Sequence, residues 1–146
     1  MTLEVTIQPG CVPGGGSGRS GGSAPPPPAT LVSRSNLAAL YWTLPQMVAH
    51  HAVSGCPLRP GDLLASGTIS SPGSSGGCSL GAGCLVEKTW GGSRPFALAG
   101  GGGKRTYLQD GDRVVMTGWA QGAGFRVGFG ECAGVLLPAH PPEWRV

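Results

Sequence analysis

Only seven carboxylates occur in the 146 residues, so any acid–base chemistry the chain carries must draw on Glu4, Asp62, Glu87, Asp110, Asp112, Glu131 or Glu143. Asp62, Asp110 and Asp112 each flank a glycine, in "RPGD" and "QDGD", where such side chains usually accept from turn N–H groups. Glu87 is different. It sits in "CLVEKTW" between Val86 and Trp90, and the segment reads as a strand. There its carboxylate either faces solvent or lines a pocket where it can give and take protons. Thr68, in "SGTIS", follows a glycine at the end of an apolar run, where a hydroxyl and backbone N–H groups can meet an anionic ligand. His50 and His51 are adjacent, about 100° apart on a helix, and cannot readily chelate one ion together. One is expected to face the core and the other solvent. No Ser/His/Asp set, phosphate loop or metal-ligand cluster is apparent.

The segments that must position these residues are set by local signals. "LEVTIQ", Leu3 to Gln8, alternates apolar and polar residues as a strand does. "NLAALYW", Asn36 to Trp42, fits helix or strand. A single helix through Pro45 would cost about 3 kcal/mol. Starting it at Thr43 removes that penalty: Thr43 caps, Gln46 at N3 completes a capping box, and Pro45 lies in the first turn. Trp42 and Met47 are then spaced for a hydrophobic staple. The helix ends near Ser54, with Gly55 as the C′ residue. "LRPGD" suits a type II turn, and "LLAS" reads as a short buried strand. Further strands are expected in "RPFAL", "RTYL", "RVVMTGWA" and "FRVGFGECAGVLL", with a turn at "QDGD". "GDLLASG" and "GDRVVMTG" echo each other as turn, strand and glycine exit.

Composition bounds the rest. Residues 9–34 are mostly Gly, Ser and Pro and read as a low-complexity linker after a first strand at 1–8. A second Gly/Ser-rich insertion spans about 71–83, within the segment 35–146. The five cysteines form no CxxC pair, so free thiols are expected rather than a zinc knuckle or disulfide framework. A formal charge of +3, with the basic residues scattered, gives no basic face for nucleic acid. No apolar run reaches membrane-spanning length, and "MTLEVTIQPG" lacks the features of a secretory signal. Short strands with one helix imply an α+β, mostly β roll or sandwich.

Together, "YWTLPQMVAHHAVSGCPLRPGDLLASGTIS", "LVEKTW" and "LQDGDRVVMTGWAQGAGFRVGFGECAG" resemble, in order, the C-terminal part of the fumarylacetoacetase family. The resemblance implies an incomplete mixed β-sandwich roll of that family's C-terminal domain type. It also implies hydrolysis of a carbon–carbon bond in a small β-diketo acid, the last step of tyrosine and phenylalanine breakdown. Glu87 matches the family's catalytic glutamate and Thr68 its substrate-binding threonine. The family's catalytic histidine, its acidic ligands for Mg2+ and Ca2+, and the arginine, glutamine and lysine that hold substrate all match positions upstream of this region. No metal ligand is therefore assigned in this chain, which by itself is expected to be inactive. A homodimer in the cytosol is implied, without a nucleic-acid or membrane partner. The chain departs from the pattern where "SSPGS" stands for "GPEP", where residues are inserted before Cys84, and at Lys88 and Ala123, which replace leucine and aspartate. Two alternatives remain open: a non-catalytic β-rich fragment or short isoform that associates with full-length subunits, and a related isomerase or decarboxylase.

Overall fold

The computed structural model describes residues 1–10, 27–72 and 80–140. Most of the 9–34 linker and of the 71–83 insertion lies outside the described residues.

Four antiparallel strands form the main sheet: β1 (Thr2–Gln8), β2 (Thr30–Asn36), β5 (Arg113–Gln121) and β6 (Arg126–Val135), in the order β2-β1-β5-β6. Strand β1, which carries the alternation of "LEVTIQ", lies between β2 and β5. Its Ile7 stands opposite Thr30 on one side and Val114 on the other. A two-stranded hairpin, β3 (Phe96–Ala97) with β4 (Lys104–Arg105), brings Phe96 and Leu98 onto Ile7 and Val32. Val5, Leu85, Leu108 and Val114 pack around that cluster. The class is the expected mostly-β α+β, and both sheets are antiparallel. Strand β2 begins inside the stretch whose composition suggests linker. Leu31 and Val32 supply the apolar side chains that Gly, Ser and Pro cannot.

Helix α1 (Leu44–Val53) is capped as its sequence requires. Gln46 N–H donates to Thr43 Oγ1, Thr43 N–H donates to Gln46 Oε1, and Gly55 comes just past the end with φ 83°. "NLAALYW" resolves into a 3-10 turn at Leu37–Ala39, capped by Asn36. The expected division of the histidines does not hold. No residue of α1 is buried, and His50 and His51 are both exposed. "LLAS" is not a buried strand either. Among the described residues it has no pairing strand, and Leu63 is 94% exposed. A strand needs a neighbour for its backbone groups, and no described residue pairs with these.

One buried ion pair ties the sheet to the hairpin. Arg105 Nε and Nη2 donate to Asp112 Oδ2 and Oδ1 at 2.8 and 2.9 Å. Gln109 N–H donates to the same Oδ2 at 2.9 Å, closing the "QDGD" turn. Burial pushes the Asp112 carboxyl up, but the Arg105 bonds, the Gln109 N–H and the guanidinium charge together hold it below its ordinary value. Cysteines 56, 84 and 132 are free and exposed. Among the described residues no helix is long and apolar enough to cross a membrane.

Because the folded carboxyl is depressed, its stabilisation is complete above the ordinary aspartate value of about 4 and fades as pH falls through the lower folded value. Asp112→Ala, which strands the Arg105 charge, is expected to cost about 3–5 kcal/mol. The urea midpoint of the variant should fall accordingly at pH 7 and converge on the parent's in strong acid.

Candidate active-site edge around Glu87

Glu87 lies on a short helix, α2 (Leu85–Lys88), and not on a strand. Lys88 N–H donates to Cys84 O at 3.0 Å and Thr89 N–H to Leu85 O at 2.9 Å. Leucine, glutamate and lysine favour the helix, and Leu85 anchors it by packing on the core. The turn ends in a defined backbone motif. Gly91 N–H donates to Val86 O and Trp90 N–H to Glu87 O, the paired bonds of a Schellman motif. Trp90 occupies the left-handed position, φ 51°, that glycine usually takes. The Arg94 guanidinium stacks 4.6 Å over its ring. Below it, Thr89 is fully buried, its hydroxyl donating to Leu85 O and accepting from Gly92 N–H.

The Glu87 carboxylate is exposed but engaged. Its Oε2 accepts from Ser70 Oγ at 2.6 Å and from Gly83 N–H at 2.8 Å. Residues 17 positions apart are thereby joined. The 80–83 segment is in turn fixed to β2. Leu80 O accepts from Arg34 N–H, Ala82 O accepts from Ser33 Oγ, and Gly81 O accepts from Ser71 N–H. Ser71 Oγ accepts from Asn36 N–H. The last residues of the supposed insertion are therefore an ordered strap between β2 and the Thr68 loop.

Thr68 is exposed, in irregular backbone two residues before Ser70. The structure thus connects the two sequence-selected residues through a serine that sequence reasoning did not select. The histidines are elsewhere. His50 and His51 line a cleft of about 680 Å³ with Trp42, Met47, Leu63 and Leu64. Neither Thr68 nor Glu87 lines it, although its Leu63–Ser66 wall leads directly into Thr68. The turn carboxylates behave as local chemistry requires, Asp62 Oδ2 accepting from Arg59 N–H at 2.8 Å. Among the described residues no three His, Cys, Asp or Glu side chains gather where they could hold a metal ion. Among the described residues the donor set does not fit Mg2+ or Ca2+.

The arrangement offers a carboxylate with one oxygen fixed by two donors, one of them a hydroxyl on the loop that carries Thr68. It can orient a water or take a proton from one.

Comparison with known proteins shows the family to which the chain is similar. The family model described as fumarylacetoacetate (FAA) hydrolase C-terminal matches residues 29–135. The chain is 51% identical over 111 residues to a fumarylacetoacetase of Bos taurus, covering 76% of this chain and 25% of the relative. It is 49% identical over 115 residues to one of Homo sapiens, with 79% and 26% covered. One of Arabidopsis thaliana is 42% identical over 141 residues, with 97% and 28% covered. The chain spans about a quarter of the length of these curated relatives.

Gly83 has no room for a side chain. A Cβ there would lie 2.9 Å from both Ile69 C and Ser70 Oγ. Gly83→Ala should push the Ile69–Ser70 backbone away at a cost of about 1–3 kcal/mol. Faster amide exchange at Ser71, with the β1 amides unchanged, is the expected result.

Proposed function

Because the chain belongs to the fumarylacetoacetate hydrolase C-terminal family, we propose that it is the Glu87- and Thr68-bearing part of a fumarylacetoacetase. The observation that carries the proposal is the clasp between Glu87, Ser70 and Gly83, which joins the glutamate to the threonine loop. In this reading Thr68 holds the substrate and Glu87, with a histidine from the rest of such a protein, activates water. The water oxygen bonds to one carbonyl carbon of the β-diketo acid as its proton passes to that pair. Collapse of the adduct re-forms the carbonyl and breaks the adjacent carbon–carbon bond. The electron pair leaves on the acetoacetate carbon, which takes up a proton, and fumarate is released. Mg2+ and Ca2+, if used as the family resemblance implies, are held by residues outside this chain. The 146 residues alone are then inactive. A cytosolic homodimer belongs to the same proposal.

A second reading is favoured by a different observation. The far end of the β5–β6 face leaves Met116 51% and Phe129 64% exposed, beside Leu3 and Gly118. Apolar surface of this kind marks association, and suits a non-catalytic fragment that joins full-length subunits. Sedimentation of the isolated chain should show self-association, or co-sedimentation with a full-length relative. A stable monomer that ignores the relative would remove this reading.

The catalytic reading is tested by joining the full chain to the upstream three quarters of the bovine relative. The fusion should cleave fumarylacetoacetate. Glu87→Gln keeps the shape but not the base, and should lower kcat by about 100-fold or more. Thr68→Ala should chiefly raise KM. Normal turnover by Glu87→Gln would overturn the proposal.

A further inference from the structure

The two oxygens of Glu87 are treated differently. Among the described residues, both donors to the carboxylate, Ser70 Oγ and Gly83 N–H, go to Oε2 and none goes to Oε1. A single bond would leave an exposed carboxylate free to turn about it. Two donors from different segments fix both the position of Oε2 and the plane of the group. The Gly83 donor is in turn fixed, because its segment is bonded to β2 and its Cα lies against Ile69 without room for a Cβ. The Ser70 donor belongs to a segment held through its neighbour, by Ser71 N–H to Gly81 O and by Asn36 N–H to Ser71 Oγ.

From this asymmetry we infer that Ser70 is the positioning residue for Glu87. Its hydroxyl, with Gly83 N–H, reserves Oε2 for structure and leaves Oε1 for the histidine and water of the proposed reaction. The inference rests on the proposed role of Glu87 as base. It adds a residue that acts through Glu87 without touching the substrate. It also gives the serine a second consequence. Ser70 lies two residues past Thr68, so one hydroxyl sets the relative placement of the substrate loop and the base. Rate depends on such placement steeply, because a small displacement of a reacting group removes much of the advantage of holding it.

The test uses the same fusion of the full chain. Ser70→Ala should lower kcat on the order of 10-fold with KM within about twofold of the parent. Ser70→Thr keeps a hydroxyl donor and should recover most of the loss. Amide exchange at Ser71 reports whether the segment stays docked in each variant. Parent-like kcat in Ser70→Ala, with Glu87→Gln still impaired, would overturn this inference and leave the catalytic reading standing. A rise in KM without a fall in kcat would also overturn it, because Ser70 would then act on the substrate loop alone. Equal losses in Ser70→Ala and Ser70→Thr would overturn it as well. Normal turnover by Glu87→Gln, or a folded fusion without activity, would remove both readings together.

Discussion

The carboxylate of Asp112 accepts from Arg105 Nε, Arg105 Nη2 and Gln109 N–H, and its backbone carbonyl accepts from Leu136 N–H. Four elements meet there: strand β4, the 109–112 turn, the start of β5 and the exit of β6. Taking both charges out of water is unfavourable, and the pair repays it only through such complete geometry. The carboxylate is fully buried and no buried side-chain polar atom among the described residues lacks a partner. The pair therefore anchors the start of β5 beside the exit of β6. The small apolar cluster of Ile7, Val32, Phe96 and Leu98 forms on the same framework.

That framework reaches the candidate site by two routes. Leu85 packs against the apolar cluster and so orients α2, which presents Glu87. Strand β2 holds the 80–83 strap, and the strap holds both the Glu87 carboxylate and the loop beyond Thr68. The Glu87 contacts are themselves exposed. Their definition comes from the rigidity of the segments that carry them rather than from burial. The left-handed backbone at Trp90 belongs to the same picture. A bulky residue in that conformation persists only where the surroundings hold it, and here a buried Thr89 and the Arg94 stack do so.

Two turns of the same chemistry show where sequence reasoning succeeds and where it stops. Arg59–Asp62 and Gln109–Asp112 each close with the aspartate N–H donating to the first carbonyl and the aspartate carboxylate accepting from the first N–H. Each has glycine at positive φ in the third position. Their downstream segments differ. Residues 113–121 enter the sheet between β1 and β6, whereas "LLAS" remains an unpaired, exposed connection. Both segments are apolar, so the difference lies in whether a partner strand is within reach.

The same division holds for the site. By itself the sequence determined the helix that starts at Thr43, both glycine-aspartate turns and the strand in "LEVTIQ". Each depends on interactions within a few residues. The tertiary structure alone decided that Glu87 stands on a helical turn, that both histidines are exposed in a cleft that Glu87 does not line, and that Ser70 joins its loop to the Glu87 carboxylate. Those outcomes depend on contacts between segments far apart in the chain. A hydroxyl 17 residues away can be chosen as a partner only after β2 and the strap have brought it there.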